Sequence, residues 1–255
     1  MMCCYKKLFV LPLLLFFSMR ILAQNNANLL RDAHNLELKF DEAGALEKYK
    51  QITASDVYNI DALVKCAELN CSIGAREKDN KSKLVYFTAA QNFAQQAYTK
   101  DSTNADACYA MALVATKFST VETDNKKLVP YIKQIKVYTD KTLAINSNHA
   151  KANYILGNWH FELILSSWLK KPGMKNFYDG IFDTQVDSAA YFMEKCRSIE
   201  PYYALNYLDL AKVYAYDHQP GKAIEVLNKL VKLPNRMYDD EAIKQEGKQM
   251  LATMQ

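Results

Sequence analysis

Four histidines, six cysteines, two tryptophans and 28 carboxylates are the side chains of this 255-residue sequence that could do chemistry. Their spacing defines no reaction. The phosphate-cradling patterns GxxxxGK[ST] and GxGxxG are absent, as are the zinc-protease pattern HExxH and the nucleophile elbow GxSxG. His160 and Glu162 stand two apart on an expected helix, so they face different sides and share no metal. His34, His149 and His218 are scattered along the chain. No CxxC pair or Cys/His group has zinc spacing. Asp239 and Asp240 are adjacent, which suits the start of a helix better than an acid–base pair. The expectation is a protein without catalytic residues, metal or cofactor.

The aromatic residues carry more information. Trp159 follows Gly157 closely, which suits a packed core. Trp168 precedes Lys170, Lys171, Pro172 and Gly173, where a helix should end. The following stretch holds Phe177, Tyr178, Ile181 and Phe182. It could cover the core, or it could wall an apolar ligand site with Trp168, Phe177, Tyr178 and Phe182.

These residues need elements to position them, and the elements are helices. Half the sequence is apolar, and it holds only 7 glycines and 6 prolines, too few for collagen-like, low-complexity or many-turned β chains. From Ala204 to Leu230, Tyr207, Leu210, Ala211 and Tyr214 line one helical face. Asp217 to Gly221 break the chain, and Ala223, Leu227 and Leu230 line a second helix. The same register fits four earlier stretches. Leu29, Ala33 and Leu36 pair with Ala45, Tyr49 and Ile52. Leu63, Cys66 and Ala67 pair with Ala90, Ala94 and Ala97. Cys108, Met111, Ala112 and Ala115 pair with a helix over residues 129–145. Asn153, Leu156, Gly157 and His160 pair with Ala189, Met193 and Cys196. The starts fall near residues 26, 60, 105, 150 and 204. The longer later intervals predict turn insertions near 74–83, 119–128 and 165–186. Asp239 to Thr253 predicts a closing helix, which a stack of pairs needs at its open end.

The first 23 residues read as an address. Lys6 and Lys7 precede an apolar run from Leu8 to Phe17, and Ala23 offers a small residue for a cut before Gln24. The run is shorter than the roughly 20 residues of a spanning helix. The expectation is a secretory signal peptide over 1–23, and an exported, periplasmic or envelope-associated mature chain over 24–255 with no spanning segment. That mature chain carries 29 basic and 28 acidic residues. Near neutrality gives no electrostatic case for nucleic acid. Lys126, Lys127, Lys133 and Lys136 read as a solvated helix face. Cys66, Cys71, Cys108 and Cys196 read as small core residues, since a body of this size needs no disulfide staples.

The paired-helix pattern resembles the tetratricopeptide repeat (TPR), whose first interval here, 34 residues, is that repeat's own period. The resemblance implies an all-α TPR-like solenoid of about five helix pairs plus a C-terminal capping helix. A narrower likeness rests on the block from Leu156 to Glu162, the following Leu165 to Lys171, Ala189 to Lys195, Leu208 to Tyr214, and Asp239 to Ala242. It resembles the regulator-of-microtubule-dynamics family over about residues 105–255, most closely from 150 onward. That resemblance implies a helical scaffold that binds proteins, some members also handling lipid at membrane contacts. It supplies no catalytic residues.

In TPR-like stacks the first helix of each pair lines the concave side. That register places His34, Glu68, Tyr109, Lys117, Tyr154, Asn158, Phe161, Lys212 and Tyr216 in the groove. Aromatic, amide and charged groups together suit an extended peptide or helix. The expected function is an exported scaffold that binds a protein or peptide there. The alternative is a carrier of lipid or another apolar ligand behind the 165–186 insertion.

Overall fold

A computed structural model of the chain describes residues 24–166 and 184–254. Among them every regular element is a helix. The order is α1 (24–37), α2 (Glu42–Ser55), α3 (Ile60–Ala75), α4 (Asn80–Lys100), α5 (Ala105–Val121) and α6 (Asn125–Ile145). Then come α7 (Ala150–Leu165), α8 (Val186–Ile199), α9 (Ala204–Tyr216), α10 (Pro220–Leu230) and α11 (Asp240–Met254).

Side-chain caps start most of these helices. Asp41, Asn59, Asp79, Asn104 and Asp124 each accept a hydrogen bond from a backbone N–H in the first turn of the helix they precede. His149 does the same for α7, its Nδ1 accepting from Ala152 N–H at 3.1 Å. Each such bond satisfies one of the four donors that a helix start leaves unpaired.

One connection recurs. The links from each pair to the next span residues 56–59, 101–104, 146–149 and 200–203. In all four, the last linker N–H donates to the first linker C=O, at 3.1–3.3 Å. The same closed turn therefore hands the chain from each of these pairs to the next. The turns inside the α3–α4 and α5–α6 pairs are short as well, covering 76–79 and 122–124. The expected insertions near 74–83 and 119–128 are therefore not loops. Their extra length is helical, because α4 and α6 run to 21 residues against 14 for α2. Of the third expected insertion, residues 167–183 lie outside the described residues, and with them Trp168, Phe177, Tyr178 and Phe182.

Packing follows the repeat. Each helix lies on the next, while α3, α5, α7 and α9 also touch in succession and α11 closes on α9 and α10. The first helices therefore form one continuous inner row. Small residues permit the crossings. A Cβ on Gly157 would stand 2.7 Å from Met193 Cγ and 3.0 Å from the Ala189 carbonyl oxygen, so α8 can cross α7 there only over a glycine.

The core divides into four clusters, each between neighbouring pairs. Cys66 belongs to one and Cys71 to the next, so the two face opposite sides of α3. All four described cysteines are free and buried. Burial pushes the thiols of Cys66, Cys71 and Cys196 up to about 12, which keeps them protonated. Trp159 is a core residue whose indole N–H donates to the Ile132 carbonyl at 3.0 Å. Asp240 stands in the first turn of α11, as the adjacent carboxylates suggested, and has a second role. Its buried carboxylate accepts from the N–H groups of Arg236 and Met237 at 2.7 and 2.8 Å, folding the preceding loop onto α11.

Candidate functional site

The stack bends until its two ends meet. Arg76, at the C-terminal end of α3, is the point of contact. Its guanidinium pairs with Glu42 at the start of α2 and, at 2.9 Å, with Asp239 just before α11. It also lies 4.3 Å from the centre of the Tyr238 ring. Residues 163 apart in sequence are thus joined, and the inner row of helices surrounds a central space.

That space is a cavity of about 540 Å³. Helices α1, α3 and α5 supply one side of its lining, and the 235–240 loop with Ile243 supplies the other. A second cavity of about 490 Å³ lies along the same row, toward the N-terminal ends of α3, α5 and α7. Lys65, Glu68, Tyr109 and Lys151 line both, so the two are neighbouring parts of one passage.

A polar network stands where they meet. Glu68 accepts from the Tyr109 hydroxyl at 3.0 Å and from Lys151 at 2.7 Å, with Lys65 at 3.7 Å. Burial alone would raise the Glu68 carboxyl. The two ammonium groups and the donated hydrogen bonds outweigh it and hold the group at about 2. Lys65 also reaches Glu37 at 3.0 Å, and Glu37 accepts from the Tyr49 hydroxyl at 3.1 Å. Burial works against the Lys65 charge, and the carboxylates of Glu68 and Glu37 raise its pKa in spite of it. Burial, then the nearby Glu68 charge, pushes the Tyr109 phenol well above its ordinary value, so it stays a hydrogen-bond donor.

Of the groove positions expected from the register, His34, Glu68, Tyr109 and Lys117 line the first cavity. The others lie elsewhere. Tyr154 donates to Asp209 at 2.7 Å and sets its ring edge on Tyr203. Lys212 pairs with Asp209 at 3.2 Å and Glu246 at 3.0 Å. Phe161 is buried in the core against Tyr216, whose ring stays exposed. Asn158 is half-buried on α7 and lines neither cavity. The register did not point to Lys65, Lys151, Tyr203 or the 235–240 loop. Lys65 and Lys151 sit one helical turn from the Glu68 and Tyr154 positions, and that spacing was the available signal.

No group of three or more His, Cys, Asp or Glu side chains among the described residues is arranged to hold a metal ion. No helix among them is long and apolar enough to cross a membrane.

Antiparallel helix pairs in a row, small residues at their crossings and a capping helix make this a TPR-type α-solenoid. The fold agrees with that of a thermophilic TPR protein from Thermus thermophilus. The TM-score is 0.65 at 12% identity, covering 88% of this chain and 99% of that one. MamA matches at a TM-score of 0.43 and 17% identity, over 88% and 96% of the two chains. YrrB, described as a TPR protein with an unusual peptide-binding site, matches at 0.41 and 17%, over 87% and 90%. No curated protein matches the sequence.

The model of the family described as regulator of microtubule dynamics protein 1-3 matches residues 29–255, and the chain belongs to that family. The match begins well before residue 105, so the N-terminal pairs belong to the family unit too.

Proposed function

We propose that this chain is an exported, non-catalytic scaffold that holds a short segment of a protein partner in its central passage. The observation that carries the reading is the central cavity itself. Its volume lies within the range of functional pockets, and Lys65, Glu68, Tyr109 and Lys151 present fixed hydrogen-bonding groups within it. An extended backbone offers donors and acceptors at every residue, and such a wall answers both. Leu38, Met237 and Tyr238 stand exposed around the cavity, where they give apolar contact to a partner's side chains. The fold supports a scaffold role and the sequence of residues 1–23 supports export. Burial keeps the described thiols protonated and so leaves them poor nucleophiles, which supports a reading without catalysis.

A photo-crosslinking amino acid placed at Leu113, inside the cavity, tests the reading. Val137, exposed on the outer helix α6, is the control position. The expected product at Leu113 is a polypeptide adduct that maps to one recurrent sequence. A lipid-sized adduct at Leu113, or equal adducts at both positions, would sink the peptide reading. Export predicts that the purified protein begins at Gln24. A chain retaining Met1 refutes the cleavage.

A further inference from the structure

The charged groups of the passage are not evenly matched, and the mismatch has a direction. In the first cavity every carboxylate has a described partner. Glu37 and Glu68 are held by lysines, Glu42 and Asp239 by Arg76, and Asp240 by backbone N–H groups. Lys117 is different. It lines this cavity half-buried, with no carboxylate within ion-pair distance among the described residues. Arg236, also in the lining, is stacked 3.8 Å from the centre of the Tyr202 ring and has no described carboxylate partner either.

The second cavity has the opposite excess. Asp61 and Glu200 line it, and neither forms an ion pair among the described residues. Asp106 there is bound to His149 at 3.0 Å. Lys65 and Lys151, the lysines of this lining, are already engaged by Glu37 and Glu68. The mid-passage network is internally neutralised, so the unspent charge lies at the two ends: cationic at one and anionic at the other.

The length follows from the helices. Asp106 and Lys117 are eleven residues apart on α5, as are Asp61 and Ser72 on α3, and all four line the passage. At 1.5 Å per residue the two ends are about 16 Å apart. Extended chain covers that distance in about five residues.

We propose that the passage binds an extended peptide of about five residues bearing an acidic group at one end and a basic group at the other. The acid lies against Lys117 and the base against Asp61 and Glu200. This deepens the scaffold reading and rests on it. Opposite charge at each end favours the correct placement, and like charge penalises the shifted one, so the charge pattern sets register more than affinity.

The test uses the full chain and four labelled, end-blocked pentapeptides, DLYLK, KLYLD, DLYLD and KLYLK, followed by fluorescence anisotropy at low salt. The first two carry opposite charges in either chain direction. They should bind about fivefold more tightly than the two like-charged peptides, which is the scale of one partly exposed ion pair. Lys117→Glu reverses the charge that meets the peptide's acid, so KLYLK should bind the variant more tightly than the native chain and DLYLD more weakly. Loss of fold would weaken all four alike, so the opposed changes distinguish a charge effect from a structural one. If all four bind the native chain equally, the charge inference falls and the scaffold reading stands. If none binds, the peptide-scaffold reading falls with it.

Discussion

Replacing Arg76 with alanine should open the ring without unfolding the helices. Arg76 is 28% exposed, Glu42 13% and Asp239 46%. Glu42 and Arg76 lie on the same side of the seam, so their pair survives opening, while the wetter Asp239 pair across it contributes about 0.5 kcal/mol. The guanidinium over the Tyr238 ring adds about 0.5 kcal/mol at a surface site. The sum across the seam is about 1 kcal/mol, or roughly a fivefold change in an opening equilibrium. Hydrogen exchange read by mass spectrometry is the direct assay. Amides of the 235–240 loop should lose about fivefold in protection in Arg76→Ala, and those of α5 to α8 should not change. Asp239→Ala removes the ion pair across the seam and leaves the ring contact, and should cost the same loop about two- to threefold. Unchanged protection in the loop of Arg76→Ala would refute the view that this residue holds the ends together. Uniform loss along the chain would show that it supports the whole fold.

Other substitutions test other parts of the argument. Glu68 is held at about 2, so its contribution is fully present above the ordinary carboxylate pKa near 4.5 and is lost as pH falls from there toward 2. It amounts to about 2–3 kcal/mol, and urea unfolding at pH 7 and pH 3 should show Glu68→Gln losing less stability on acidification than the native chain. Gly157→Ala should destabilise by about 2 kcal/mol, because the new methyl meets the α8 backbone as well as Met193. A shift in the urea midpoint checks it, and an unchanged midpoint would mean that α8 yields freely. His218 has φ of 54° in the turn after α9, where a side chain is strained, so His218→Gly should raise stability by about 0.5–1 kcal/mol in thermal melts. Tyr109→Phe removes the hydroxyl bond to Glu68 and should cost about 1 kcal/mol by the same urea measurement.

The helix pairs were readable because their signal is local. Alternation of small and large residues at three-to-four spacing, as in Tyr207, Leu210, Ala211 and Tyr214, depends only on which face a helix buries. Helix length was less readable. The extra residues of α4 and α6 looked like loops, although the capping residues Asp79 and Asp124 stand immediately before each helix and mark its start. The repeated link was also visible in the sequence, as Asp56–Asn59, Asp101–Asn104 and Asn146–His149. The passage was half readable. Register located Tyr109 and Lys117 on the inner row. It could not tell which inner side chains are taken up by neighbours, because that depends on tertiary partners, as with Lys212 between Asp209 and Glu246. Nor could it show the closure, because nothing local ties Arg76 to a carboxylate 163 residues away.

An open stack of repeats has no natural size. A pair can be gained or lost, and each unit still needs only the one beside it. The seam between Arg76 and Asp239 removes that freedom. Four links that share one backbone hydrogen bond set the step from pair to pair, and the loop before α11 must arrive where α2 begins and α3 ends. A sixth pair would carry that loop past its counterpart, and a fourth alone would leave it short. Repeat number is therefore a property of the geometry, and the molecule counts its own units by whether the circle closes.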